Sequence, residues 1–173
     1  MTLNQVLLTD GSYCDKIEAH IKGIQHYAFS VFVFDSKGNM LLQRRAKGKY
    51  HSGELWSNSC CSHPMSVYSL KEIENQAKTR LNYEMGINDA SLNFEFLFKY
   101  NEKCSNYKEN EIDYVFSCIS EQTPIINKQE VSDYRWIDYS TLIKEIELSP
   151  QIYTIWFRKI INKHSDRLFK KRQ

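Results

Sequence analysis

The run Tyr27-Ala28-Phe29-Ser30-Val31-Phe32-Val33-Phe34 constrains the fold more than any other segment. It is apolar or aromatic at nearly every position, with no regular polar alternation. A strand with one solvated face alternates between the two kinds of side chain, so a continuous run of this kind suits a strand buried on both faces. Asp35-Ser36-Lys37-Gly38-Asn39 is turn chemistry, after which Met40–Gln43 returns as the second strand of a hairpin.

Helices that could cover such a sheet are legible elsewhere. Ser69-Leu70-Lys71-Glu72 has capping-box spacing. Leu70, Ile73, Ala77, Leu81 and Met85 follow at helical intervals and Gly86 is a C-terminal stop, which predicts a helix over Ser69–Met85. Thr141–Glu147 and Gln151–Leu168 are expected helices, with Pro150 near the first turn of the second. Val6–Leu8, Phe94–Tyr100, Ile112–Ser120 and Asp133–Ile137 are expected strands. Residues 47–64 lack periodicity, hold Gly48, Gly53 and Pro64, and are expected to be loop-rich. Arg167–Arg172 reads as a solvated, basic helix terminus. The fold class is therefore α/β (α+β), a mixed sheet flanked by helices. One domain is expected over residues 1–173, its core at about 15–160.

Bulk properties exclude several classes. A net charge of +2 is too balanced for a nucleic-acid-binding or membrane-surface protein. No apolar stretch approaches the roughly 20 residues of a spanning helix, and no apolar run follows a basic start. The 5 cysteines are odd in number, with no Cys-x-x-Cys pair, which favours reduced thiols in a cytoplasmic setting and argues against a thiolate zinc site.

Glu109-Asn110-Glu111 falls just before an expected strand. In extended backbone, residues two apart share a face, so both carboxylates can enter one site, where a hard divalent cation would relieve their repulsion. Cys61-Ser62-His63 has the same spacing and would set a thiol beside an imidazole, while Cys60 suits the core. His20 and His26 flank a segment expected to be extended. His51 and His164 are assigned no role.

Read in order, His20-(x5)-His26-Tyr27-Ala28-Phe29, Leu41-Leu42-Gln43-Arg44-Arg45-Ala46, Trp56-Ser57-Asn58-Ser59-Cys60-Cys61-Ser62-His63-Pro64, Tyr83-Glu84-Met85-Gly86 and Glu109-Asn110-Glu111-Ile112-Asp113-Tyr114 resemble the type 1 isopentenyl-diphosphate isomerases, which have a Nudix-like fold. The resemblance implies a soluble enzyme that interconverts isopentenyl and dimethylallyl diphosphate. His20, His26, His63, Glu109 and Glu111 match the metal ligands, and Cys61 and Glu111 match the catalytic pair. Tyr100 matches a residue that assists Glu111, and Trp156 one that faces the reacting carbons. Glu84, with Cys61 nearby, matches the site of a second Mg²⁺ shared with the diphosphate. Lys16, Arg45, Lys49 and Arg80 match the basic residues that grip that diphosphate. The implied cofactors are substrate-linked Mg²⁺ and one further divalent ion, Mn²⁺, Zn²⁺ or Mg²⁺. The implied partner is a small isoprenoid diphosphate, with neither nucleic acid nor membrane involved, bound by a monomer or homodimer.

The chemistry is a 1,3-allylic proton shift through a tertiary carbocation, which needs an acid and a base on opposite faces of a flat substrate. Two alternatives stand beside it: a Nudix hydrolase that cleaves a diphosphate, and a non-catalytic ligand-binding Nudix-like domain. The hydrolase signature G-x5-E-x7-R-E-U-x-E-E-x-G-U, with U bulky and apolar, anchored on Gly86, puts Met65 and Lys71 at its first Gly and Glu. Thr79-Arg80 replaces Arg-Glu, and Tyr83 replaces one of the paired glutamates, leaving Glu84. One carboxylate cannot hold the metals that hydrolysis needs.

Overall fold

The computed structural model describes residues 4–169. A mixed sheet of 7 strands forms its centre, with a separate two-stranded ribbon beside it. The ribbon is β1 (Gln5–Leu7) paired antiparallel with β2 (Tyr13–Asp15), and it leads into helix α1 (Lys16–Lys22). The central strands are β3 (His26–Phe34), β4 (Met40–Arg45), β5 (Trp56–Ser57), β6 (Cys60–Ser62), β7 (Asn93–Cys104), β8 (Tyr107–Ile119) and β9 (Val131–Ile137). Helices α2 (Leu70–Met85), α3 (Tyr139–Leu148) and α4 (Ile155–Phe169) cover them.

Strand β3 is central, as its sequence requires. It runs parallel to β8 on one side; on the other it pairs with β6 through its middle and with β4 at its end. Phe29, Val31 and Val33 pack with Ile73, Ala77, Leu81 and Met85 of α2. Phe32 and Phe34 pack on the other face with Leu142 and Ile146 of α3 and Phe157 and Ile160 of α4. Burial on both faces thus follows from helices on both sides, and each fully buried Phe or Val contributes about 1.5–3 kcal/mol of transfer free energy. Helix α2 starts where its cap predicts: the Ser69 hydroxyl accepts from the Glu72 amide, and Gly86 ends it in the left-handed conformation at φ 70°.

Four local expectations are revised. His20 does not border an extended segment; it lies within α1, which Asp15 caps and Gly23 ends at φ 68°. Glu109 and Glu111 lie inside β8 rather than before it, because β7 and β8 form one long hairpin paired from Cys104↔Tyr107 onward. The loop expected at 47–64 contains β5 and β6. The C-terminal helix begins at Ile155, not Gln151: the Thr154 amide donates to Trp56 O at 2.9 Å and Tyr153 bridges Trp56, so residues 153–154 stay extended after a 3₁₀ turn at Pro150–Ile152. Of the basic terminus, Arg167 packs over Phe96 at 5.1 Å, while residues 170–172 lie outside the described region. Among the described residues, no helix is long and apolar enough to cross a membrane.

Candidate functional site

Strand pairing assembles the site from residues distant in sequence. His26 on β3 pairs in register with Glu111 on β8, and Glu111 pairs with Tyr100 on β7. The three side chains therefore stand abreast across adjacent strands. Cys61 on β6 pairs with Ser30 on β3, two pleats along from His26, and His63 follows two residues later on the same side. Helix α1 lays His20 against this face, with its ring centroid 4.7 Å from that of His26 and 5.4 Å from that of His63.

The donor atoms converge. His63 Nε2 is 3.1 Å and His26 Nε2 3.3 Å from Glu111 Oε1, and His20 Nε2 is 3.6 Å from Glu109 Oε2. Ligand atoms of His20, His26, His63 and Glu111 all lie within 4.8 Å of one another. The backbone sets the tautomers: Nδ1 of His20 donates to Lys16 O at 2.6 Å and Nδ1 of His26 donates to Ile24 O at 2.8 Å, which leaves each Nε2 lone pair facing inward. Buried polar atoms without a protein partner include His26 Nε2, His51 Nε2 and Glu109 Oε1. Such atoms cost free energy unless something else satisfies them. Imidazoles and carboxylates converging with orphaned lone pairs fit a divalent cation.

Charge within the protein is consistent with that fit. Burial raises Glu109, and repulsion from Glu111 adds to it, so Glu109 sits well above the usual carboxylate range. Burial also opposes ionisation of Glu111, but the His26 and His63 rings that face its Oε1 outweigh it and hold that carboxyl well below 4.5. Without a cation, only one of the two ionises readily; a bound dication would favour both as carboxylates. Burial pushes the Cys61 thiol up to about 12, opposed by the Arg45 guanidinium, whose Nη1 lies 3.7 Å from Sγ.

Cys61, His63, Glu109 and Glu111 line a cavity together with Lys16, Arg45, Lys49, Arg80 and Trp156. The Trp156 indole N–H donates to Asn58 Oδ1 at 3.2 Å, which fixes the ring, and the Arg45 guanidinium lies 5.1 Å from it. Outside the cavity a groove of about 890 Å³ is walled partly by Lys16, Lys49 and Arg80. Lys49 and Arg80 both pair with Glu130 there. Glu84 stands slightly apart: it is 2% exposed, accepts from Arg80 Nε at 2.7 Å and Gln43 Nε2 at 2.9 Å, and so holds the arginine from behind.

The residues singled out in sequence thus meet in one region, with Glu84 at its back. Three that border it carried no sequence signal strong enough to assign. His51 comes from an aperiodic loop, Asn58 acts through Trp156, and Glu130 precedes a strand that pairs with β4.

Fold and site together define a Nudix protein: the NUDIX domain family matches residues 24–157. The MutT protein of Methanosarcina mazei Go1 superposes with a TM-score of 0.62 at 18% identity, over 86% of this chain and 96% of that one. The NUDIX domain of Shewanella oneidensis NrtR superposes with a TM-score of 0.61 at 14% identity, over 82% and 87%. At such identities these likenesses concern the fold. Sequence relatives are more specific. Isopentenyl-diphosphate Delta-isomerase 2 of Photorhabdus laumondii is 48% identical over 85% of this chain and 81% of its own length. The Aromatoleum aromaticum protein of the same name is 39% identical over 92% and 86%. The chain belongs to the Nudix family and, within it, to the isopentenyl-diphosphate Delta-isomerases.

Proposed function

We propose that this chain interconverts isopentenyl and dimethylallyl diphosphate, as its relatives' names indicate, by protonating and deprotonating the two ends of an allylic system. The observation that carries the reading is Cys61 and a Tyr100-bound Glu111 lining or bordering one cavity that also contains Trp156 and four basic side chains. Lys16, Arg45, Lys49 and Arg80 bind the diphosphate, and that anchoring positions the alkene. One of the Cys61–Glu111 pair delivers a proton to the terminal alkene carbon, and the other accepts one from the methylene next to the resulting tertiary cation. The face of Trp156 stabilises the cation, by about 2 kcal/mol or more if desolvated. Water must be kept from capturing it, and Trp156 of α4 forms one wall of the cavity. The metal, held by His20, His26, His63, Glu109 and Glu111, supplies positive charge that keeps the Glu pair ionised and tunes its proton affinity. Zn²⁺, Mn²⁺ and Mg²⁺ all suit parts of this donor set; the three imidazoles favour a transition metal. Glu84 serves a Mg²⁺ that arrives with the diphosphate.

The hydrolase alternative lacks its carboxylates. On α2, Glu74 pairs with Lys71 and Lys78 and Glu72 accepts from Ser66, leaving Glu84 as the glutamate buried at the site. Incubation with isopentenyl diphosphate and Mg²⁺ in D₂O tests the reading. Dimethylallyl diphosphate carrying deuterium is expected; release of inorganic phosphate or pyrophosphate without isomerisation would overturn it.

A further inference from the structure

Residue 51 is a fourth imidazole at the site, and none of the roles above uses it. His51 sits in the loop joining β4 to β5, yet it is 8% exposed. Its Nε2 lies 3.0 Å from Glu109 Oε1. That separation is short enough for a hydrogen bond, but the two atoms are not aligned for one, and both lack any hydrogen-bond partner. Two buried lone-pair atoms that touch without hydrogen bonding point toward a third partner. Cis ligands of an octahedral ion, each about 2.0–2.2 Å from it, lie about 3 Å apart. The His63–Glu111 and His26–Glu111 contacts have nearly the same spacing.

The second carboxylate oxygen ties this corner to the main cluster. Glu109 Oε2 faces His20 while Oε1 faces His51, and ligand atoms of His20, His51 and Glu109 lie within 4.8 Å of one another. The loop is shaped to bring the ring inward. Ser52 and Glu54 adopt left-handed backbone at φ 52° and 66°, a strained conformation for residues other than glycine. Gly53 between them leaves no room for a side chain, since a Cβ would meet Lys47 O at 2.9 Å. Arg45 Nη2 donates to His51 O at 3.3 Å, and the Nδ1 edge of the ring meets Ser52 Oγ at 3.1 Å. With Nδ1 donating to that hydroxyl, Nε2 keeps its lone pair for a metal.

We propose that His51 is a direct ligand of the site's divalent ion, completing a six-donor shell with His20, His26, His63, Glu109 and Glu111. The inference rests on the metal site of the proposed function but adds a ligand to it. A fourth imidazole makes the donor set more nitrogen-rich, which shifts preference from Mg²⁺ toward Zn²⁺ or Co²⁺. A sixth protein donor would leave such an ion no open position for substrate, so it would supply charge and structure only.

The test is crystallography of the Zn²⁺-loaded protein with anomalous scattering, together with chelator competition on the wild type, His51→Ala and His51→Gln. The expected result is one ion per chain with His51 Nε2 at about 2.0–2.3 Å, and a loss of Zn²⁺ affinity of at least tenfold in both variants while Mg²⁺ affinity changes less. His51 Nε2 remaining more than 3 Å from a bound ion, or a second ion held by His51, would overturn the inference; the wild-type structure decides this even if a variant fails to fold. Isomerase activity, assayed separately, distinguishes the two readings. An active enzyme with three coordinated imidazoles removes the His51 ligand alone, and an inactive one with four removes the isomerase reading alone.

Discussion

The Tyr100 hydroxyl donates a 2.5 Å hydrogen bond to Glu111 Oε2, while the other oxygen of that carboxylate faces His26 and His63. One carboxylate thus spans two environments, a phenol on one side and the imidazole cluster on the other. The phenol is buried, and burial with the neighbouring Glu111 charge holds its proton well beyond the ordinary tyrosine range. Tyr100 is therefore a lasting donor that favours the ionised form of Glu111.

Tyr100→Phe keeps the ring and removes that donor. A hydrogen bond to a charged group contributes about 1.5–3 kcal/mol, so kcat is expected to fall about 10- to 100-fold with metal content unchanged. Turnover and metal analysis on the same preparation check this; an unchanged kcat removes the assisting role.

Cys61 and Cys60 are neighbours with opposite environments. Cys61 lines the cavity, whereas Cys60 is fully buried beneath α2 among Ile73 and Ala77. Cys61→Ala is expected to cut turnover by about 10²–10⁴-fold or more, with fold and metal content retained. Cys60→Ala is expected to cost stability by about 1 kcal/mol and leave most activity. Thermal melts and product assays on both variants check the pair, and the reverse pattern would identify Cys60 as the reacting thiol.

Glu84 holds Arg80 and, on the proposed reading, a substrate-linked Mg²⁺. Glu84→Gln is expected to weaken binding of a non-reactive diphosphate analogue and its Mg²⁺ together by about tenfold or more, as removal of a charged partner worth about 1.5–3 kcal/mol implies. The tightly held metal should remain. Calorimetric titration of Mg²⁺ with and without the analogue, alongside metal analysis, checks this; loss of the tight metal with analogue binding intact would exchange the two assignments.

His164 lies on α4, and its ring centroid packs 4.3 Å from that of Phe96. Burial and the nearby Arg167 charge lower its pKa below 6.5. As pH falls past 6.5 the unfolded chain takes up a proton that the folded chain resists, so stability present above 6.5 is lost as pH approaches the lowered folded value. In metal-free protein, His164→Phe should reduce the slope of Tm against pH between about pH 6.5 and 5. Parallel slopes for wild type and variant would show that His164 contributes nothing to acid sensitivity.

Much of the fold was legible because its signals are local. The uniform apolar character of Tyr27–Phe34 implied a strand covered on both faces, and α2 and α4 cover it. Ser69 and Gly86 bounded α2 because capping depends on the few residues around a helix end. The two-residue spacing of Glu109 and Glu111 put both carboxylates on one side of a strand, since alternation holds wherever backbone is extended.

Tertiary structure alone decided which side chains meet. The parallel register of β3 on β8 sets His26 opposite Glu111, and the hairpin register sets Tyr100 opposite the same residue; each pairing joins positions that no local pattern relates. His20 reaches the cluster from a helix whose single turn of cap chemistry falls in a segment that composition leaves as open to extended as to helical backbone. His51 arrives on a loop held by left-handed residues and a backbone approach at Gly53, a conformation that no periodic pattern announces. Periodicity and capping act over a few residues, so they determine elements; a site built from donors on α1, β3, β6, β8 and a connecting loop exists only once sheet pairing has fixed the distances among them.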